Sequence, residues 1–412
     1  MFKIDFDNLD LIKQQIYLYA ETFDTACVCD SREINSALNK NTYELIAGLG
    51  LKRKLPNTHN HLFQEIEDNQ YWIFGNMNYQ SMENEILKHF LFEPKIVLMI
   101  ETNSNSLQLI NNGIGESDFI NIISGFKEFE TINANISTIV KPDFKAQTSY
   151  ENYLKMVEKI KRDIIEGVYY EMNYCMAFQA NYEKNSLLDI HFTLVKNSPA
   201  PFAAYFKNAE FNLTCNSPER FIKKNNDLLL SQPIKGTNHR SEYENDIQIE
   251  KLKKSEKDQA ENVMIVDLVR NDLAKVCKTG TIKVSELFGV YTFKSLNHLI
   301  SSVEGKLKSG VRFAEIFRSL FPMGSMTGAP KIEVMKHIDL YEDVDRGIYS
   351  GCLGYIAPNK DFDFNVVIRS LELDKQKHII SYKVGGAITY DSNAEEEYLE
   401  CLLKAKNILA VF

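Results

Sequence analysis

Ser231-Gln-Pro-Ile-Lys-Gly-Thr237 is the stretch on which the reading of this chain turns. A Pro that fixes φ and a Gly that frees it describe a tight backbone turn, so Lys235 between them is held by its neighbours. The run from Arg220 through Asp227 to Leu230 reads as a hairpin that delivers a strand into this turn. A lysine taken by itself is a solvated surface charge. A held lysine can do chemistry, and what surrounds it in the fold decides between the two.

Downstream, the polar residues His239 to Asn245 lead into a long helix predicted over Asp246 to Val269. On it Asp258 and Glu261 share a face that Ile265 and Leu268 continue as apolar residues, and a carboxylate on such a face needs a partner. The first half, Glu250 to Lys257, reads instead as a solvated surface. Phe321-Pro-Met-Gly-Ser-Met-Thr-Gly-Ala-Pro-Lys331 is a glycine-containing loop entering a helix at Ile332 to Ile338. Its order of residues is not that of a P-loop, so it does not indicate ATP. Strands are predicted at Gly351 to Ala357, Phe362 to Leu373 and His378 to Val384, then Gly385-Gly-Ala387 and a final helix carrying Glu397, Glu400 and Lys404. An acidic pair at that spacing is by itself a solvated helix start. If both acidic pairs faced one cavity, their mutual repulsion would call for a hard divalent cation such as Mg²⁺.

Upstream, Thr148-x-x-Glu151 has the form of a capping box opening a helix along Tyr153, Val157, Ile160 and Ile164, which Gly167 stops. Val168 to Ala180, Ala203 to Phe206 and Phe211 to Cys215 read as strands. The polar, Pro142-containing stretch Asn133 to Lys145 marks a boundary between an N-terminal region, 1–145, and a second region, 146–412. In the first, Thr25 to Cys29 and Lys95 to Glu101 read as strands, and Ser81 to Phe92 has helical spacing through Met82, Ile86, His89 and Phe90. His59 and His61 read as exposed loop residues.

With 412 residues, 44% of them hydrophobic, the chain can bury a large core. Its net charge of -9 argues against a nucleic-acid backbone or an anionic membrane surface as partner. Seven scattered cysteines without a Cys-x-x-Cys pair indicate neither a disulfide framework nor a zinc site. Acidic residues near Met1 and the lack of any apolar run long enough to span a bilayer lead us to expect a cytoplasmic protein.

The chain carries in order Ser217-Pro-Glu-Arg-Phe221, Pro233-Ile-Lys-Gly-Thr237, Lys257-Asp-Gln-Ala-Glu-Asn-Val-Met-Ile-Val-Asp-Leu-Val-Arg-Asn-Asp-Leu273, Gly324-Ser-Met-Thr-Gly-Ala-Pro-Lys331, Asp363-Phe-Asn-Val-Val-Ile-Arg369 and Gly385-Gly-Ala-Ile-Thr-Tyr-Asp-Ser392. From about residue 148 onward this series resembles that of the chorismate-utilising enzymes, in the family's order. The resemblance implies a single large α/β (α+β) fold, two β-sheets packed as a sandwich with helices outside, and the N-terminal region packed on it. It implies Mg²⁺ as cofactor, with Glu261 and Glu400 as ligands and Asp258 and Glu397 close by. Arg369, Tyr349, Lys404 and the backbone at Gly385, Gly386 and Ala387 would hold the substrate carboxylates, with Thr237, Ser325, Thr327 and Gly328 contributing further contacts.

Among these relatives, Lys at position 235 marks the enzymes that aminate chorismate at C4, where anthranilate synthases usually carry Ala; the alternatives are an anthranilate synthase component I or isochorismate synthase, and a non-catalytic chorismate-binding scaffold. The implied role of Lys235 is nucleophile, that of Glu219 general acid, and His298 lies near the ring. Two departures stand out: Ala387 replaces a common third Gly, and Glu171-Met-Asn173 replaces the commoner Gln-Val-Asn. The N-terminal third shows no convincing Leu-Leu-Glu-Ser tryptophan-binding motif, and the chain shows no glutaminase Cys/His/Glu set, so ammonia is expected from a separate glutamine amidotransferase subunit.

Overall fold

The computed structural model describes residues 2–31, 42–80, 86–129, 139–184, 186–241, 243–294 and 296–412. Its strands pair antiparallel throughout and form two layers that meet in one strand, His89–Glu101. One edge of that strand pairs along its length with Tyr43–Lys54. The other edge is divided: His89 to Phe92 pair with Ile73–Met77, and Ile96 to Ile100 with Ser106–Asn111. Between the two halves lies Pro94, which has no N–H to give a ladder there.

From this strand the first layer runs through Tyr43–Lys54, Ala26–Asp30, Phe202–Lys207, Phe211–Ser217, Ser370–Asp374 and Ile379–Ile388 to Glu171–Asn181. The second runs through Ile73–Met77, Cys352–Ile356, Phe362–Val366, Arg220–Asn225 and Leu228–Gln232 to Leu296–Lys306, which Ile234–His239 and Lys283–Thr292 flank. Between the layers lies a core that includes Ile46, Phe74, Phe92, Val97, Phe206, Leu353 and Val367. The outer face of the first layer, with Leu45, Leu98 and Tyr205, buries helices Leu9–Glu21, Tyr150–Ile165 and Ala394–Leu409. That of the second, with Ile222, Val303 and Phe364, buries Glu256–Val276 and Phe313–Leu320. The period-2 alternation of Leu45/Ile46 and Val97/Leu98 between cores is what a two-faced buried strand requires. The expected sandwich with outer helices is therefore present, its two sheets joined through one shared strand. The N-terminal region is hydrogen-bonded into the rest, Ala26–Asp30 against Phe202–Lys207 and Ile73–Met77 against Cys352–Ile356.

Four local expectations change. The helix expected over Ser81 to Phe92 begins on residues outside those described, and its end, from His89, is part of the shared strand. His59 and His61 sit in the first turn of helix His59–Asp68, where His61 Nδ1 lies 3.0 Å from Thr58 Oγ1. The long helix expected over Asp246 to Val269 is two helices, Asn245–Lys253 and Glu256–Val276, because Ser255 leaves helical geometry and caps the second by accepting from Asp258 N–H. The strand expected over Phe362 to Leu373 breaks at Arg369, whose φ of 52° is left-handed.

Candidate active site

The chain crosses from the first layer to the second between Ser217 and Arg220, and back between Val366 and Ser370. The crossings lie side by side: Val366 N–H donates to Glu219 O at 3.0 Å and Asn216 N–H to Arg369 O at 3.1 Å. Glu219 and Arg369 thus project from the seam of the sandwich. Glu219 is buried, and its Oε1 accepts from Ser325 Oγ at 2.6 Å. Burial pushes its carboxyl up to about 7, against the opposing pull of Ser325, Lys235 and Arg369.

The tight turn expected over Ser231 to Thr237 is instead a continued strand edge: Leu228–Gln232 and Ile234–His239 pair in succession along Leu296–Lys306. The edge is interrupted by Pro233, which has no N–H to donate, and by a register shift between Ile234 and Thr237, and Lys235 lies at that shift. Its Nζ donates to Glu171 Oε1 at 2.8 Å, both residues being buried. Gly236 beside it has φ +94°, and a Cβ there would come 3.0 Å from the Asp258 side chain, so this irregular stretch of strand rests against helix Glu256–Val276. From the same helix Asn262 spans Lys235 O and Leu299 O, each at 3.5 Å, and accepts from Ser301 Oγ at 2.6 Å. Glu261, also on this helix, is pushed up to about 7 by burial, with Lys235 acting against the rise and Glu171 adding to it.

His298 is fully enclosed on the adjacent strand. Its Nε2 lies 2.9 Å from Arg369 Nη2 and its Nδ1 2.9 Å from Thr237 Oγ1. A guanidinium only donates, so Nε2 accepts and the proton of the neutral ring sits on Nδ1, facing Thr237. Burial and the charges of Arg369 and Lys404 hold His298 well below its ordinary range. One ring nitrogen is thus spent on Arg369 and the other on Thr237.

The glycine loop forms the floor. Thr327 donates its hydroxyl to Met323 O and Gly324 O, at 3.1 and 3.3 Å, so it braces the loop from within. Gly328 pairs with Met172, and a Cβ there would lie 2.0 Å from Glu171 O. Asn173 Nδ2 donates to Ser325 O at 2.7 Å. Arg346, buried and paired with Glu342, donates to Met326 O and Asn173 O at 2.6 and 2.9 Å. Tyr349 is buried nearby, among the groups of Cys175 and Arg346, and burial holds its hydroxyl protonated. Lys331 bonds Asp272 and Leu320 O, anchoring the far end of the loop.

The Ile379–Ile388 strand carries Gly385, Gly386 and Ala387 alongside Cys175, Tyr174 and Asn173. A Cβ on Gly386 would lie 3.3 Å from Glu397 Oε2, 3.7 Å from Lys404 Nζ and 3.8 Å from Glu400 Oε1, so glycine here leaves room directly beneath two carboxylates. Lys404 Nζ donates to Gly385 O and pairs with Glu400, both at 2.8 Å, which holds Glu400 below its ordinary range. Glu397 accepts from Ser392 at 2.7 Å with Lys257 at 3.7 Å, and burial pushes it up. Among the described residues no three acidic, His or Cys groups are drawn into a finished coordination set. The donor chemistry nevertheless fits a hard cation: carboxylate oxygens on two helices, of which Glu397 is buried, Asp258 and Glu261 partly buried and Glu400 exposed, with Glu261 and Glu397 raised by burial and the glycine cradle below Glu397 and Glu400.

Glu171, Asn262 and Arg346 are the members that the sequence reading did not place in the site. Glu171 left a signal as the departure from Gln-Val-Asn, though its partner is 64 residues away in the chain, and Asn262 stands within the Lys257 to Leu273 motif.

Comparison with known proteins gives the family and the fold. The chain is 39% identical over 285 residues to a probable chloroplastic aminodeoxychorismate synthase from Oryza sativa subsp. japonica, covering 67% of this chain and 32% of that one. It is 35% identical over 269 residues to aminodeoxychorismate synthase component 1 from Escherichia coli, covering 65% of this chain and 59% of that one. The chain thus aligns with about a third to three-fifths of these relatives' lengths. Its fold matches the menaquinone-specific isochorismate synthase of Escherichia coli with a TM-score of 0.79 at 16% identity, over 100% of this chain and 94% of that one. It matches anthranilate synthase component I of Streptococcus pneumoniae with a TM-score of 0.71 at 21% identity, over 99% and 90%. With residues 74–410 matching the family described as chorismate binding enzyme, the chain belongs to that family.

Proposed function

We propose that this chain converts chorismate and ammonia to 4-amino-4-deoxychorismate, as component I of an aminodeoxychorismate synthase serving 4-aminobenzoate and folate synthesis. The observation that carries the proposal is Lys235, a buried amine paired with Glu171 in the same electrostatic neighbourhood as Glu219. A lysine so enclosed has no solvation role to play, and its amine is available to carbon once it loses a proton.

In the proposed sequence the neutral Lys235 amine attacks C2 of chorismate, the two conjugated ring double bonds shift to C1=C6 and C4=C5, and the C4–O bond breaks. Glu219, raised to about 7, gives its proton to the departing hydroxyl, which leaves as water. Ammonia then attacks C4, both double bonds shift back, the C2–N bond to Lys235 breaks to free the neutral amine, and the ammonium formed at C4 returns a proton to Glu219. Arg369, oriented by His298, takes a substrate carboxylate, and Lys404 with the Gly385 to Ala387 backbone supports another. Glu261 and Glu400, with Asp258 and Glu397, would hold Mg²⁺, whose contribution is to neutralise carboxylate charge. Ammonia would come from a glutamine amidotransferase partner, a reading supported by the name component 1 of the bacterial relatives.

Incubating the protein with chorismate, Mg²⁺ and ammonium, and identifying products by mass and retention, tests this. Aminodeoxychorismate is expected; anthranilate or isochorismate as the sole product would overturn it.

A further inference from the structure

Glu171 stands out among the buried groups of the site because the reaction just described does not use it. It is fully enclosed on the Glu171–Asn181 strand, and Lys235 holds one of its oxygens. The other oxygen, Oε2, has no hydrogen-bond partner among the described residues. The backbone below it cannot yield: Glu171 pairs with Ala329, and Gly328 approaches Glu171 O so closely that a side chain there would collide with it. The backbone that carries the carboxylate is therefore fixed in place while the amine on the facing strand comes to it. A buried carboxylate with one partner resists losing that partner's charge, because separation would leave it unpaired away from water.

We propose that Glu171 is a positioning residue that parks the Lys235 side chain as an ammonium against the Glu171–Asn181 strand and so withholds the amine until its proton is removed. The proposal deepens the reading of Lys235 as nucleophile and rests on it. The charged groups facing the amine are Glu171 from this strand, Glu261 from helix Glu256–Val276, Glu219 from the seam and Glu400 from the C-terminal helix. Asp258 lies against the neighbouring Gly236. Burial works to lower the affinity of Lys235 for its proton, but Glu171, Glu261 and Glu219 outweigh it and raise that affinity, Glu171 first among them. Glu171 is also the partner at hydrogen-bond distance, so it fixes where the amine points as well as its charge.

The test uses the full chain and needs no turnover. Wild type, Glu171→Gln and Glu171→Asp are dimethylated with formaldehyde and cyanoborohydride from about pH 6 to about pH 10, and labelling of the Lys235 peptide is followed by mass against exposed lysines in the same digest. Glu171→Gln is expected to label Lys235 at least about threefold faster at neutral pH and to move its half-labelling point to lower pH, with Glu171→Asp close to wild type. Superimposable profiles would overturn the proposal, as would loss of the fold in both variants, which would assign Glu171 to the core alone. In turnover, the acidic limb of kcat should move to lower pH in Glu171→Gln with KM for chorismate little changed. A labelling shift without any C4 amination would sink the proposed function and leave this inference standing.

Discussion

Two clusters in the cleft differ in how completely their polar atoms are satisfied. Around His298, both ring nitrogens are taken, by Thr237 and by Arg369, and the ring is neutral and closed off. Around Lys235, one strand over, Glu171 from the facing layer has an oxygen without a hydrogen-bond partner among the described residues, Glu261 and Glu219 add their charges to that of Glu171, and Glu219 and Glu261 are both raised to about 7. The satisfied cluster can only hold; the unsatisfied one stores protons at groups that can release them. Residue type alone would have suggested the reverse, since histidine is the usual proton carrier.

Substitutions can break this contrast at graded depth. Lys235→Ala should abolish C4 amination, a loss on the order of 10⁴-fold or more, read as product per enzyme at saturating ammonium. Undiminished amination would make Lys235 a structural charge. Glu219→Gln should cost about 10² to 10⁴ in kcat. In wild type the same group must be protonated to act, so its contribution is full below about pH 7 and falls as pH rises through that value, which a kcat–pH profile will show. Arg369→Lys should raise KM for chorismate about tenfold to a hundredfold with a smaller change in kcat, because one point charge replaces the fork that His298 orients. The smallest effect belongs to Ser325→Ala: without the donated hydroxyl the carboxylate form of Glu219 loses support, so the descending limb moves to higher pH.

Much of this arrangement is legible in the chain before folding. The hairpin from Arg220 to Leu230, the helix Tyr150–Ile165 and the acidic positions of two distant helices follow from spacing, and the motif series links them. Spacing fails where both faces of an element are buried. The stretch from His89 to Phe92 can be fitted to a helix because its strand touches apolar neighbours on every side, so no polar alternation marks it. It also failed at Ser255, whose capping role only the backbone break reveals. Glu171 was hidden for another reason: a buried acid is intelligible only with its counter-ion, and Lys235 reaches it from the other layer of the sandwich.

The divided edge of the His89–Glu101 strand bears on how the protein could be taken apart. Ala26–Asp30 and Ile73–Met77 lie inside the two layers, each between a neighbour from the first 145 residues and one from the remainder. A polypeptide severed between them and the rest would leave open strand edges on both pieces, with unmet N–H and C=O groups facing each other. The fragments are therefore suited to complementation: made separately each is a sticky half-sheet, and made together they should reassemble into a nicked but working whole.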